Sequence, residues 1–134
     1  DAEIVGNDPA GHIRAVYTEH DFDLTVGSPV YRGDPAISTT NLVESGLPAG
    51  VPFSNQGGFA DPELDRLIAL GRTTIDAAQR IDLYQRFQRR VREELPLINV
   101  AEWGFTTVAS TALTNIQNNP RWAVTSWADM GVEG

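Results

Sequence analysis

The sequence predicts an α/β fold, and three observations predict it. Residues 22–27 alternate apolar Phe22, Leu24 and Val26 with Asp23, Thr25 and Gly27, the two-residue period of a strand. A capped helical stretch precedes that segment, after an apolar start at residues 3–5. Strand, helix and strand so close together predict a unit with a parallel strand pair. Two more capped helices follow, and short apolar runs come after them.

Taken in order, residues 3–5 read as a short strand. The NDP of residues 7–9 caps a helix over residues 8–20, with Ile13, Val16 and Tyr17 on one face. The strand at residues 22–27 comes next. From residue 28 to 58 glycine and proline recur, and apart from a short helix at residues 35–43, capped by Asp34, this stretch reads as loop. A loop of this length is usually functional or disordered.

The stretch FADPELDRLI, residues 59–68, places Asp61, Glu63 and Asp65 around Pro62. Two readings compete, an acid–base or metal site and a helix start. The helix start has the better local physics. Asp61 can accept hydrogen bonds from the unpaired first-turn amides. Pro62 at the first helical position gives up nothing, because its missing N–H would have no partner there. Glu63 and Asp65 lie where negative charge meets the positive end of the helix dipole. Leu64, Leu67, Ile68 and Gly71 then follow at helical spacing, and the helix runs to about residue 73.

A second helix starts after Asp76, with Gln79 three residues on as in a capping box, and stops at Leu95 before Pro96. Its expected buried stripe is Ile81, Tyr84, Phe87, Val91 and Leu95. Its other face is expected to carry the i,i+4 pairs Asp82–Arg86, Arg89–Glu93 and Arg90–Glu94. Two short strands, LINVAEW and FTTVAS, flank Gly104. A turn is expected at residues 118–120 and a last strand or edge segment within residues 122–132.

Composition narrows the function. With 134 residues, 41% of them hydrophobic, the chain can bury a core and suits one domain spanning residues 1–134. A net charge of −8 argues against nucleic acid as partner, and the arginines of the last helix read as a solvated, internally paired face. There is no cysteine, hence no thiolate chemistry. The two histidines, His12 and His20, lack the spacing of a zinc pair. The acids near His20 (Glu19, Asp21 and Asp23) are too few for a calcium loop. No nucleophile elbow, phosphate loop or dinucleotide fingerprint occurs. No catalytic residue, metal or cofactor is therefore expected.

The order of segments resembles the C-terminal part of the extracytoplasmic solute-binding proteins of the peptide/nickel class, the family 5 receptors of ABC importers. YTEHDFDLTVG at residues 17–27 is similar to that family's helix end and following strand. GDP at residues 33–35 is similar to its DPD loop, with Ala36 in place of the second acid. NQGGF at residues 55–59 with the DPELDRLI that follows, and DAAQRIDLYQRFQRRVREELPLINV at residues 76–100, resemble its later helices and strand. The motifs are individually common, and their order carries the resemblance over nearly the whole chain.

The resemblance implies a type II periplasmic-binding-protein-like fold, of which this chain would be a C-terminal fragment forming part of one lobe. It implies a solute or peptide ligand, the membrane permease of an importer and the N-terminal remainder of the same chain as partners. It also implies an extracytoplasmic location with a lipid anchor upstream. Ligand-facing positions would be Ser28, Tyr31, Arg32, Asp34, Asn55 and Trp103. Two of them depart from the family: Tyr31 stands where peptide-binding members place an amine-anchoring acid, and Ser28 where a tryptophan is common. A ligand without a free amine is the resulting expectation. The alternatives are a solute-sensing module of a regulator and a carboxylate-based hydrolase.

Overall fold

The computed structural model describes residues 2–29, 32–102, 104, 106–116 and 128–132. Its centre is a helical hairpin. Helix α2, Pro62–Thr73, starts where Asp61 accepts hydrogen bonds from the amides of Glu63 and Leu64 at 2.8 and 3.0 Å. Helix α3, Ala77–Glu94, starts where Asp76 accepts from Gln79 N at 2.8 Å. It ends on Leu95, which takes the left-handed conformation just before Pro96. Leu64, Leu67 and Ile68 of α2 pack on Leu83 and Phe87 of α3, with Val43 closing one side. Burying five or six aliphatic and aromatic side chains at about 1.5–3 kcal/mol each holds the hairpin shut.

The buried stripe of α3 differs from the expected one. Leu83, Tyr84 and Phe87 are buried, whereas Ile81 is 59% and Leu95 63% exposed. The helix is rotated so that Tyr84 meets Gly71 of α2, with Arg80 stacked on the ring 4.9 Å from its centroid. That rotation turns Ile81 outward. The expected ion pairs are corrected as well. Of the three i,i+4 pairs only Arg90–Glu94 forms, at 2.8 Å. The arginines instead reach other elements: Arg80 pairs with Asp34 at 2.6 Å, Arg86 with Glu63 at 3.3 Å and Arg90 with Asp61 at 2.7 Å. These acids sit at helix starts, where their charge is already held in place, so less side-chain entropy is lost than in a pair along one helix.

The N-terminal helix forms in two parts. Asp8 accepts from Gly11 N at 2.7 Å and caps α1, Pro9–His12, with Pro9 at its first position. The coil then widens to a π-helix over Ile13–Glu19, and His20 N–H reaches back to Ala15 O before the chain turns left-handed at His20 (φ 53°). The expected short helix after Asp34 becomes two 3₁₀ turns, Pro35–Ile37 and Thr40–Leu42.

The strand predictions need correcting. Residues 3–5, 22–27 and 98–102 lie in no ladder, and among the described residues no parallel strand pair forms. The one sheet described is antiparallel and two-stranded. It pairs β1, Leu113–Thr114, with β2, Gly131–Val132, in the register Leu113↔Val132 and Thr114↔Gly131. Alternation fixes which side chains share a face but does not supply a neighbour, and a strand exists only through the ladder it makes. Residues 22–27 make no hydrogen bond in the chain. Their aliphatic side chains stand in water, with Leu24 83% and Val26 81% exposed. Ile98 and Val100 are similar, at 75% and 86%. The expected turn at 118–120 and the part of the tail before residue 128 lie outside the described residues.

Candidate functional site

The long irregular stretch does not wander. Residues 44–60 form a ring of chain held at several points. On the α2 side, Ser45 N donates to Asp65 Oδ1 at 2.9 Å and its hydroxyl donates to Asp65 Oδ2. Glu44 takes a two-pronged bond from Arg72 at 2.5 and 2.6 Å, the fork-to-carboxylate geometry that only arginine offers. On the other side, Gly50 N donates to Tyr17 O at 2.6 Å. Gly50 has φ +77°, and a Cβ there would stand 3.2 Å from Thr18 Oγ1, so glycine is required twice over. Within the ring, Asn55 closes its own turn. Its Oδ1 accepts from Phe59 N at 3.0 Å, and its Nδ2 donates to Phe59 O and Glu44 O at 2.6 and 3.1 Å.

Between this ring and the π-helical end lies an open cavity of about 210 Å³, with Tyr17, His20, Leu47, Pro48, Asn55 and Phe59 in its wall. The widened last turns set His20 here. Its ring Nδ1 donates to Gln56 O at 2.8 Å, which leaves Nε2 without a partner in the chain. Tyr17 is buried, its ring edge-on to His12 with centroids 6.1 Å apart, and its hydroxyl makes no hydrogen bond. Glu44 also borders the cavity, but its charge is spent on Arg72.

Of the six positions expected to face ligand, only Asn55 lines this cavity, and its amide is consumed in the turn. Asp34 is a helix cap and ion-pair partner: it accepts from Ala36 N at 2.9 Å and from Arg80 Nη2 at 2.6 Å. The Arg80 guanidinium and the Ala36 amide hold its carboxyl below the usual carboxylate range. Ser28 and Arg32 are exposed on the connecting stretch and do not line the cavity. Tyr31 and Trp103 lie outside the described residues.

Asp61, Glu63 and Asp65 do not converge on a common point. Asp61 caps α2 and meets Arg90, Glu63 meets Arg66 at 2.7 Å, and Asp65 holds Ser45. The amide of Leu64 first, then Arg90, lower the Asp61 carboxyl from its ordinary value; Arg66 does so for Glu63. Asp61 and Glu63, kept ionised in this way, are poor proton donors. Among the described residues no group of three or more histidine, aspartate or glutamate side chains is placed to hold a metal, and no helix is long and apolar enough to cross a membrane.

His20 and Tyr17 were not among the expected ligand positions. Both lie on the last turns of a helix, and the π widening of those turns has no sequence period of its own. No family model, curated protein or solved structure matches the chain.

Proposed function

We propose that the chain is the C-terminal part of an extracytoplasmic solute-binding receptor of the peptide/nickel class, delivering its ligand to an ABC-type membrane permease. One observation carries the reading. The segments that resemble the receptor's strands lie in no ladder, carry alternating aliphatic side chains and leave their backbone groups without partners. Such segments are stable as strands when a sheet is completed from outside. The N-terminal remainder of a two-lobed receptor would complete it. Both lobes are needed for a closed site, because half a cleft leaves the other face of a ligand in water.

The solute in this reading lacks a free amine at the wall carrying Tyr31, since the anchoring acid is absent there. Calorimetry of the full-length receptor against free-amine peptides, blocked peptides, nickel chelates and sugars tests the proposal. The expected result is tight binding of a ligand from the blocked or neutral arms by the full-length protein, and nothing tighter than millimolar by residues 1–134 alone. Micromolar binding by the 134 residues, or tight capture of free-amine dipeptides by the full-length protein, overturns it.

A further inference from the structure

We infer that residues 34–44 form a strap across the helical hairpin that opens at its Asp34 end, with Arg80 of α3 as the latch. The two ends are held in different ways. At the far end the strap is built into the core. Thr40 and Val43 are fully buried, and Val43 packs among the apolar side chains of α2 and α3. Arg72 grips the Glu44 carboxylate with both prongs, and Glu44 O accepts from Asn55. The next residue, Ser45, gives its amide and its hydroxyl to Asp65. The near end has no such footing. The 3₁₀ turn Pro35–Ile37 lies beside α2 without a buried residue, and Ile37 is 68% exposed. Among the described residues, the hydrogen bond that joins residues 34–39 to the hairpin runs from Arg80 Nη2 to Asp34 Oδ1, at 2.6 Å. A segment with few buried contacts and one tether is the first to open.

Arg80 is held in position from the hairpin side alone. Its Nε donates to Gly71 O at 2.9 Å, one of the four carbonyls that the end of α2 leaves without a helical partner. Its guanidinium stacks on the Tyr84 ring, and Nη2 reaches the Tyr84 hydroxyl at 3.3 Å. Releasing Asp34 therefore leaves the guanidinium in place, and reclosing loses little side-chain entropy.

The strap end is built to move as one piece. Asp34 caps its own turn through Ala36 N, and its carbonyl accepts from the Ser38 hydroxyl at 2.8 Å. Hinges are a few positions that absorb a change in φ and ψ. Gly33 offers one, at φ 85° with nothing within 4 Å of where a Cβ would stand. The other lies at Ser38 and Thr39, where one 3₁₀ turn stops before the next begins. Opening breaks the charged bond to Arg80 and a neutral one from the Thr40 hydroxyl to Pro35 O at 3.1 Å. The charged bond is the stronger of the two. Residues 32–39 move, and the ring of residues 44–60 stays where it is. The latch stands apart from the receptor reading; where that reading holds, the latch sets the position of Arg32 relative to the hairpin.

Amide exchange followed residue by residue in the 134-residue chain tests the latch. The reporters are Ile37 and Ser38, whose amides donate to Asp34 O and Pro35 O at 3.2 and 3.3 Å. Asp34 is 42% exposed, so water already weakens its pair with Arg80. Arg80→Gln should speed exchange at Ile37 and Ser38 by about five- to tenfold and leave Val43, Glu44 and Ser45 within about twofold of the parent. Asp34→Asn keeps an oxygen to cap Ala36 and should speed the same two amides. Combined with Arg80→Gln it should add nothing, since both remove one contact. Thermal melts establish that the variants are folded. If Arg80→Gln does not fold, Asp34→Asn, which leaves the hairpin untouched, decides alone. The latch is overturned if Asp34→Asn leaves Ile37 and Ser38 unchanged or accelerates residues 43–45 as much as these two. Additive effects of the two substitutions overturn it as well.

Discussion

Asp61 does two jobs with one carboxylate. One oxygen accepts the amides of Glu63 and Leu64, while the other accepts from Arg90 across the hairpin. Asp61→Asn keeps a cap but loses the ion pair, and Asp61→Ala loses both. The melting temperature should therefore fall in the order parent, Asn, Ala. For Asp34, Asp61 and Glu63 the folded carboxyl is more acidic than the unfolded one. Each therefore adds stability that is present above the unfolded value, near pH 4, and is lost as pH falls through the lower folded value. Urea midpoints should stay level from neutral pH to about pH 5 and decline below about pH 4. Gly71 gives a second test. A Cβ at this position would lie 2.8 Å from Tyr84 Cζ. Alanine in a helix is ordinarily about 1 kcal/mol better than glycine. Here the clash should reverse that sign and destabilise by about 1–3 kcal/mol, with Tyr84→Leu in the same chain restoring part of the loss. The caps were legible in the sequence because a cap is a contact over three residues. The Arg90–Asp61 pair spans 29 positions and was not.

The hairpin of α2 and α3 is the element on which the rest leans. Leu67→Ala should cost about 2–5 kcal/mol, since Leu67 is 2% exposed and its methyls have no way to be replaced without a cavity. Asp76→Ala should cost about 1 kcal/mol, the usual value of an N-cap. Chemical denaturation of both variants checks the ratio. The bounds of both helices could be read from the sequence, because their starts and stops are chemical: Asp61-Pro62 and Asp76 at the front, Leu95-Pro96 behind. The rotation of α3 could not be read. Ile81 and Leu83 lie on opposite sides of the helix, and with Tyr84 packed against Gly71 it is Leu83 that is buried and Ile81 that faces out. The alternation at residues 22–27 was legible but did not make a strand, for pairing partners leave no mark on a single segment. Asn55 lines the cavity, but its amide closes its own turn, and a turn-closing amide and a ligand-facing one look alike in sequence.

At the scale of the whole chain, surface area is the telling quantity. The molecule exposes 10189 Å², against about 6,900 Å² for a compact monomer of 14.6 kDa. Ile4, Leu24, Val26, Ile98, Val100 and Val108, each at least 75% exposed, are part of that excess. Amide exchange at residues 23–27 and 98–101 should be fast in the isolated chain, and the proposed receptor reading expects it to be slowed by orders of magnitude in the full-length protein, where a ladder would shield them. Equal exchange in both would argue against the completed sheet. The same unpaired edges also bear on handling. Extended aliphatic rows with free amides are templates for intermolecular cross-β stacking. In this chain Asp21, Asp23 and Glu102 sit beside them as electrostatic gatekeepers. That protection depends on charge, and the sequence pI is about 4.5. Light scattering of the purified chain should therefore rise sharply as the buffer approaches that pH and recede on either side. The row most prone to seed fibrils is LTV at residues 24–26, and Leu24→Lys should delay their onset.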